Sequence, residues 1–237
     1  MTGVRVVSYN IRSLRDDPAA VVRVVRALDP DVLCLQEVPR FWGWRGKRRE
    51  LARAAGLRVA AGRRAAGLAV LAAPRVRRVA REFHLLTRVP DLHRRALAIA
   101  VLELGEGEGA RRLIAASTHL DLADDPRLAH TGQVIALLDR ASRRHGAPVV
   151  LTGDINEEPG GPSWTRLAER FQDAYAVAPQ GQEWTFSANN PRKRIDGVFP
   201  DAGIEVVGCG VPGDAALTAD YVLATDHRPV VADLRLP

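Results

Sequence analysis

A chain of 237 residues, 46% of them hydrophobic, is long enough to bury a substantial core, and no Ser/Gly-rich linker or low-complexity tract divides it. Cys34 and Cys209 make no metal-site spacing and stand in apolar stretches where a thiol behaves as a small hydrophobe, which points to a reducing compartment. The formal charge of +6 invites a polyanionic partner, but only Lys47 and Lys193 among the 34 basic residues are lysine, a coding-type bias that makes net charge weak evidence.

The N-terminal "MTGVRVVSYNI" enters a strand without the apolar stretch of a signal peptide, and no run reaches the length of a membrane span, so a cytoplasmic protein is expected. Residues 4–9, "VRVVSY", read as a buried strand, and 18–28 as a helix with Val21, Val22, Val25 and Leu28 on one stripe. "DVLCLQEV" is strand again. "GLAVLA" at 67–72 and "RALAIAVLEL" at 95–104 read as further strands, and "EGEGA" as a hairpin-like turn. Then the opening order returns. The strand "RLIAASTHL", a helix carrying Leu128, Ile135 and Leu138, and the strand "PVVLTGD" repeat it about a hundred residues on, and Asp16-Asp17-Pro18 and Asp124-Asp125-Pro126 stand alike before the two helices. Beyond 160 come a helix near 163–171 and the strand-like "RIDGVF", "IEVVGCG" and "HRPVVADL".

Each strand of the repeated pair ends in polar residues: Asn10, Gln36 with Glu37, His119, and Asp154 with Asn156. Strands joined by one crossover helix run parallel, so these ends share an edge, and two such halves packed sheet on sheet gather them at one rim. In "VVLTGDINEEP" strand alternation sends Asp154 and Asn156 to one side and Ile155 to the core. The same residues also suit the opening of a turn, since Asp and Asn bond their own backbone there.

Six motifs in this order, "SYNI", "LQEV", "STHLD", "GDIN", "RIDGVF" and "TDHRPV", resemble the endonuclease/exonuclease/phosphatase superfamily over nearly the whole chain. The resemblance implies one domain over 1–237 with a four-layer α/β/β/α sandwich, two mixed β-sheets face to face with helices outside. It implies Mg²⁺, with Mn²⁺ as substitute, held chiefly by Glu37 with Asn10 and Asp226 around it; hard oxygens suit such an ion. Asp154 would deprotonate the attacking water, Asn156 would hold water and phosphate in line, His119 would donate to the phosphate, and Asp196 would pair with His227. Arg95 and Arg194 are candidate substrate contacts or plain surface charges. His84, His93, His130 and His145 fall in no motif and are read as solvated or structural.

Two departures limit the inference to substrate. AP endonucleases place a tyrosine where this chain has His119, and the glutamate that supports this histidine in deoxyribonuclease I has no counterpart here. The loop "RFWGWRGKRR" puts Phe41, Trp42 and Trp44 among cations, to stack bases, grip a headgroup or pack against the sandwich edge. The expectation is a monomeric nuclease acting on DNA or RNA. The alternatives are an enzyme for a small phosphorylated metabolite or lipid headgroup, and a decayed nucleic-acid-binding module.

Overall fold

The first strand and helix form where the apolar pattern places them. In the computed structural model, which describes residues 2–237 apart from the side chain of Glu108, β1 (Thr2–Asn10) leads to α1 (Pro18–Leu28). The Asp17 side chain accepts the Ala19 N–H at 2.8 Å, and Pro18 occupies the first helical position. The buried stripe is Val21, Val24, Val25 and Leu28, the i, i+3, i+4, i+7 set; Val22, expected on it, lies to one side. β2 (Val32–Gln36) then pairs parallel to β1, with Asn10 opposite Gln36.

α2 (Trp44–Ala54) and β3 (Arg58–Gly62), which the sequence pattern did not mark, come next, then β4 (Ala69–Ala72), then the equally unmarked β5 (Arg77–Leu85), and β6 (Ala96–Leu104). The second copy is β7 (Arg111–His119), α3 (Asp124–His145) and β8 (Val149–Asp154), in which β7 and β8 are parallel and His119 stands opposite Asp154. The likeness ends at the helix cap. Ala123 is the cap of α3, and Asp124 lies inside the first turn paired with Arg127. The chain closes with α4 (Pro162–Arg170), α5 (Ala174–Val177), β9 (Asp196–Pro200), β10 (Glu205–Gly210), α6 (Ala215–Ala224) and β11 (Val230–Leu236).

The strands form two mixed sheets, in the order β10-β11-β1-β2-β4-β3 and β5-β6-β7-β8-β9. Between them lies a common apolar cluster, to which Val6, Val32 and Val70 of one sheet and Ala115, Val150 and Val198 of the other contribute from the facing sides. The outer face of the second sheet is covered by α3 and α4 through Val134, Leu138, Trp164 and Leu167 against Ile114, Leu151 and Phe199. On the first, α1 and α6 bury Val21, Val25, Tyr221 and Ala224 in the same cluster as β1 and β2. Polar ties cross between the sheets, among them a pair in their interior: Gln36 Nε2 donates to Ser117 Oγ at 3.0 Å, and Ser117 Oγ donates to the Leu35 carbonyl at 3.1 Å. Cys34 and Cys209 are buried free thiols, each pushed up to about 12 by burial. Among the described residues no helix is long and apolar enough to cross a membrane.

Candidate active site

The parallel pairs β1-β2 and β7-β8 end at one edge of the two sheets, and antiparallel β9 brings its first residue there, so Asp154 stands between His119 and Asp196 in register. Immediately beyond the strands the backbone is forced. Arg12, Ser13 and Leu14 have φ of 41°, 58° and 56°, Glu37 has 50° and Asn156 has 56°. Left-handed conformations cost L-residues about 1–2 kcal/mol each, and their concentration at one edge is the kind of strain that functional sites hold. The turn explains how Asp154 and Asn156 come together. The strand stops at Asp154, Asn156 N–H donates to Asp154 Oδ1 at 3.1 Å as a turn residue would, and Ile155 is buried. Turn and site are the same structure.

The side chains interlock. Asn10 Nδ2 donates to Asp154 Oδ2 at 2.9 Å and to Glu37 Oε1 at 3.2 Å, while its carbonyl oxygen accepts the Arg12 N–H at 3.1 Å. Asn156 Nδ2 donates to the Leu120 carbonyl at 3.0 Å and lies 3.1 Å from His119 Nε2. The carbonyl fixes which end of this amide is NH₂, so Nε2 accepts and the His119 proton sits on Nδ1. Asn156 Oδ1 is left without a partner among the described residues. His227 Nδ1 bonds Asp196 Oδ2 at 2.9 Å, and its Nε2 lies 3.7 Å from Asp154 Oδ2; His119 Nε2 lies 3.6 Å from the same oxygen.

The two imidazoles differ in charge. Burial lowers His119 to about 4, Asp154 opposing and Arg95 and His227 reinforcing, so it is neutral. Burial also works against the charge of His227, but Asp196 and then Asp154 outweigh it and hold this group up at about 10. Asp154 is raised, chiefly by burial, with His119 the largest opposing influence.

A conserved-domain model, the endonuclease/exonuclease/phosphatase family, matches residues 7–227. The chain belongs to that family. Its fold is shared with the endonuclease/exonuclease/phosphatase of Bacteroides vulgatus at 20% identity, TM-score 0.80, over 100% of both chains. It is shared also with the mannosyl-6-phosphatase of Bacteroides thetaiotaomicron VPI-5482 (19%, TM-score 0.81, 98% of this chain and 100% of that one). The catalytic domain of human Nocturnin with a bound sulfate anion is similar too (18%, TM-score 0.78, 99% and 95%). No curated protein sequence matches the chain. Members of the endonuclease/exonuclease/phosphatase family are phosphate ester hydrolases, typically dependent on a divalent metal, and this protein is an enzyme of that class.

The edge fits such a metal. Glu37 is half-buried, takes one hydrogen bond, from Asn10, and has no basic partner among the described residues, whereas Asp226 Oδ2 lies 3.4 Å from Arg12 Nε. Asp154, Asp196 and His227 also bring ligand atoms within 4.8 Å of one another. That trio is the poorer ligand set, because an imidazolium committed to Asp196 has no lone pair to give. As seated, Asn10 steadies two carboxylates rather than presenting its carbonyl oxygen.

Glu37, His119, Asp154, Asn156 and His227 line one cleft of about 370 Å³. Arg95 lines it as well, buried and tied through Nε to Asp121 Oδ2 at 3.2 Å. Arg194 does not. Its Nη1 is held by both oxygens of Asp173 at 2.8 and 2.9 Å and its guanidinium stacks on Trp164 and Tyr175, so the expected substrate contact is a buried brace behind β9. His84 and His145 close on Glu82 and His130 on the Thr87 carbonyl, as structural histidines do. His93 instead joins the cleft wall with Arg15, Arg40, Phe41, Arg94 and Leu122. The run His93-Arg94-Arg95 entering a strand aimed at the site was the available signal.

Proposed function

We propose that the protein hydrolyses phosphodiester bonds in nucleic acid with Mg²⁺, by in-line attack of a water that Asp154 deprotonates. The observation that carries this reading is the Asp154 carboxylate, raised by burial, wedged between a neutral and a cationic histidine beside a carboxylate with no cation of its own. A carboxylate raised toward neutrality is a better proton acceptor, and its neighbours keep it aimed. Asn156 Oδ1 accepts from the same water. Glu37 holds the metal, with Asn10 ordering Glu37 and Asp154, and Asp226 beside them. When bound, a divalent cation neutralises charge on the phosphoryl oxygens. His119 donates from Nδ1 as a neutral group. His227, fixed by Asp196, gives Nε2–H to a phosphate oxygen or to the departing oxygen. Arg15, Arg40, Arg94 and Arg95 supply the positive wall that a diester strand requires.

The cleft volume favours one competing reading, since about 370 Å³ also suits a single sugar phosphate. A panel of single- and double-stranded DNA, RNA, abasic DNA, bis-p-nitrophenyl phosphate and phosphomonoesters, with Mg²⁺, Mn²⁺ and chelator, separates the two. Nucleic acid should be cleaved, monoesters slowly, and nothing in chelator; Glu37→Gln should lose at least about a hundredfold in kcat with an unchanged melting temperature. Undiminished turnover in chelator or in Glu37→Gln overturns the mechanism, and preference for monoesters overturns the substrate.

A further inference from the structure

Some surface arginines meet acids, as Arg5 meets Asp233, Arg23 Asp220, Arg77 Glu103 and Arg170 both Asp139 and Asp201. Others, such as Arg53, Arg88, Arg140 and Arg192, meet none among the described residues, but one groove outside the catalytic cleft gathers several such arginines together. A concavity of about 860 Å³ between α2 and the edge formed by β3 and β5 is lined by Arg45, Arg49, Arg63, Arg64, Arg78 and Arg81, every one exposed. Among the described residues none of the six pairs with a carboxylate. The one acid in the lining, Glu82, is turned to His84, His145 and Arg144. A coding bias toward arginine accounts for the number of cations, not for the gathering of six unpaired ones around one concavity.

The floor of this groove is rigid. Arg48, buried at 4% exposure, donates to the carbonyls of Pro39, Arg63 and Leu68 and stacks at 4.7 Å on Trp44, so α2, the loop after β2 and the β3-β4 turn are locked together. Arg48 Nη2 is buried without a partner, one more uncompensated cation at this place. The groove also adjoins the catalytic cleft. Arg64 Nε donates to the Arg40 carbonyl at 3.2 Å, and Arg40, Ala66 and Gly67 belong to the cleft lining. Beside this junction Phe41 is 67% and Trp42 97% exposed.

Crowded like charges repel one another and gain free energy when a polyanion replaces their separate counterions. Exposed aromatic rings beside a cationic track are how single strands are held without sequence preference, because stacking needs unpaired bases. We propose that the groove binds the phosphate backbone of a single-stranded nucleic acid whose scissile bond lies in the cleft, with Phe41 and Trp42 as the stacking platform at the junction. This rests on the nuclease reading and adds to it a preference for strands long enough to reach from cleft to groove.

The test is anisotropy of fluorescein-labelled single-stranded 5-mers and 25-mers and of a 25-base-pair duplex, in chelator, across a salt series, for the wild type and for R49E/R63E/R81E. Steady-state hydrolysis of bis-p-nitrophenyl phosphate and of the 25-mer runs alongside. The variant should bind the single-stranded 25-mer at least about tenfold more weakly and lower the salt slope by about 2, as loss of three phosphate contacts on a single strand requires. The 5-mer and bis-p-nitrophenyl phosphate should change less than about twofold, since neither reaches the groove. R49S/R63S/R81S, which adds no negative charge, should lie between the wild type and the reversal. Trp42→Ala should weaken the single strand and leave the duplex unchanged. Wild-type affinity and slope in the reversal variant, while the wild type cleaves the 25-mer, overturn the groove and leave the nuclease reading standing. Equal affinity for duplex and single strand overturns the single-strand assignment. Hydrolysis of bis-p-nitrophenyl phosphate with no binding or cleavage of any oligonucleotide overturns the nuclease reading, and the groove with it.

Discussion

His119 and His227 lie 3.6 and 3.7 Å from the same oxygen of Asp154, and what separates their charge is the second carboxylate, Asp196, that only His227 touches. Its other oxygen, Oδ1, is buried without a hydrogen-bond partner, so Asp196 is held in an unfavourable place that the imidazolium compensates. Asp196→Asn should therefore bring the alkaline limb of kcat, set near the His227 value of about 10, toward neutrality. At pH 9 it should cost roughly ten- to ten-thousand-fold in kcat, the range of general acid catalysis with its orienting partner. A pH-rate profile superimposable on the wild type's would separate the pair from the chemistry. Asn10, Glu37, His119 and Asp154 were legible because each stands where a strand closes in a polar side chain; Asp196 opens β9 and Asp226 and His227 precede β11, and these were legible only through the motifs "RIDGVF" and "TDHRPV". The left-handed φ angles of Ser13, Glu37 and Asn156 were not, since none is a glycine, and Arg194 misled because its motif position carries no sign of Asp173, Trp164 and Tyr175 waiting behind it.

Among the elements, the β7-β8 pair bears most directly on the site, because it sets His119 opposite Asp154. Gly153 makes that approach. A Cβ there would meet the Thr118 carbonyl oxygen at 2.7 Å and Thr118 Cγ2 at 2.8 Å. Gly153→Ala should part the strand ends and cost about 1–3 kcal/mol, the usual scale of overpacking. Thermal denaturation reads that loss, and kcat should fall with it, because His119 and Asp154 no longer stand in register. The two parallel pairs were readable from continuous apolar runs and α1 from its stripe; α3 was placed, but of the expected Leu128, Ile135 and Leu138 only Leu138 is buried, because its inner face is built from Arg127, His130, Thr131, Val134, Leu138 and Ala141. The elements that were not readable lacked such a stripe. In α2 a buried arginine, Arg48, stands with Leu51 and Ala52 on the inner face, and β5 exposes most of its residues as an edge strand. In α6 only Tyr221 and Ala224 are buried, too few to mark a period.

At the scale of the molecule, the two histidines give stability a maximum near neutral pH. His119, lowered from 6.5 to about 4, takes its proton in the unfolded chain first, so its contribution is lost as pH falls from 6.5 toward 4. For His227, raised from 6.5 to about 10, the contribution is complete below 6.5 and is lost as pH rises toward 10. Calorimetry from pH 4 to 10 should show the melting temperature falling by several degrees on either side, given about 1.4 kcal/mol per pKa unit and about 2–4 °C per kcal/mol at this chain length. Asp154, raised by burial, acts against His119 on the acid side, so His119→Asn is the informative comparison and should flatten that limb. A melting temperature that rises steadily toward pH 4 would refute the assignment. The two-half organisation was visible in the sequence, but the strand order was not, since nothing local tells β11 to enter between β10 and β1. That insertion has a consequence in time. Asn10, Glu37, His119 and Asp154 are all synthesised early, yet Asp226 and His227 reach the edge only when β11 zips against β1, from Ser8 opposite Val230 to Thr2 opposite Leu236. The pairing of β11 arms the edge: in refolding, hydrolysis should return only when β11 has docked against β1, after the bulk of the helical signal.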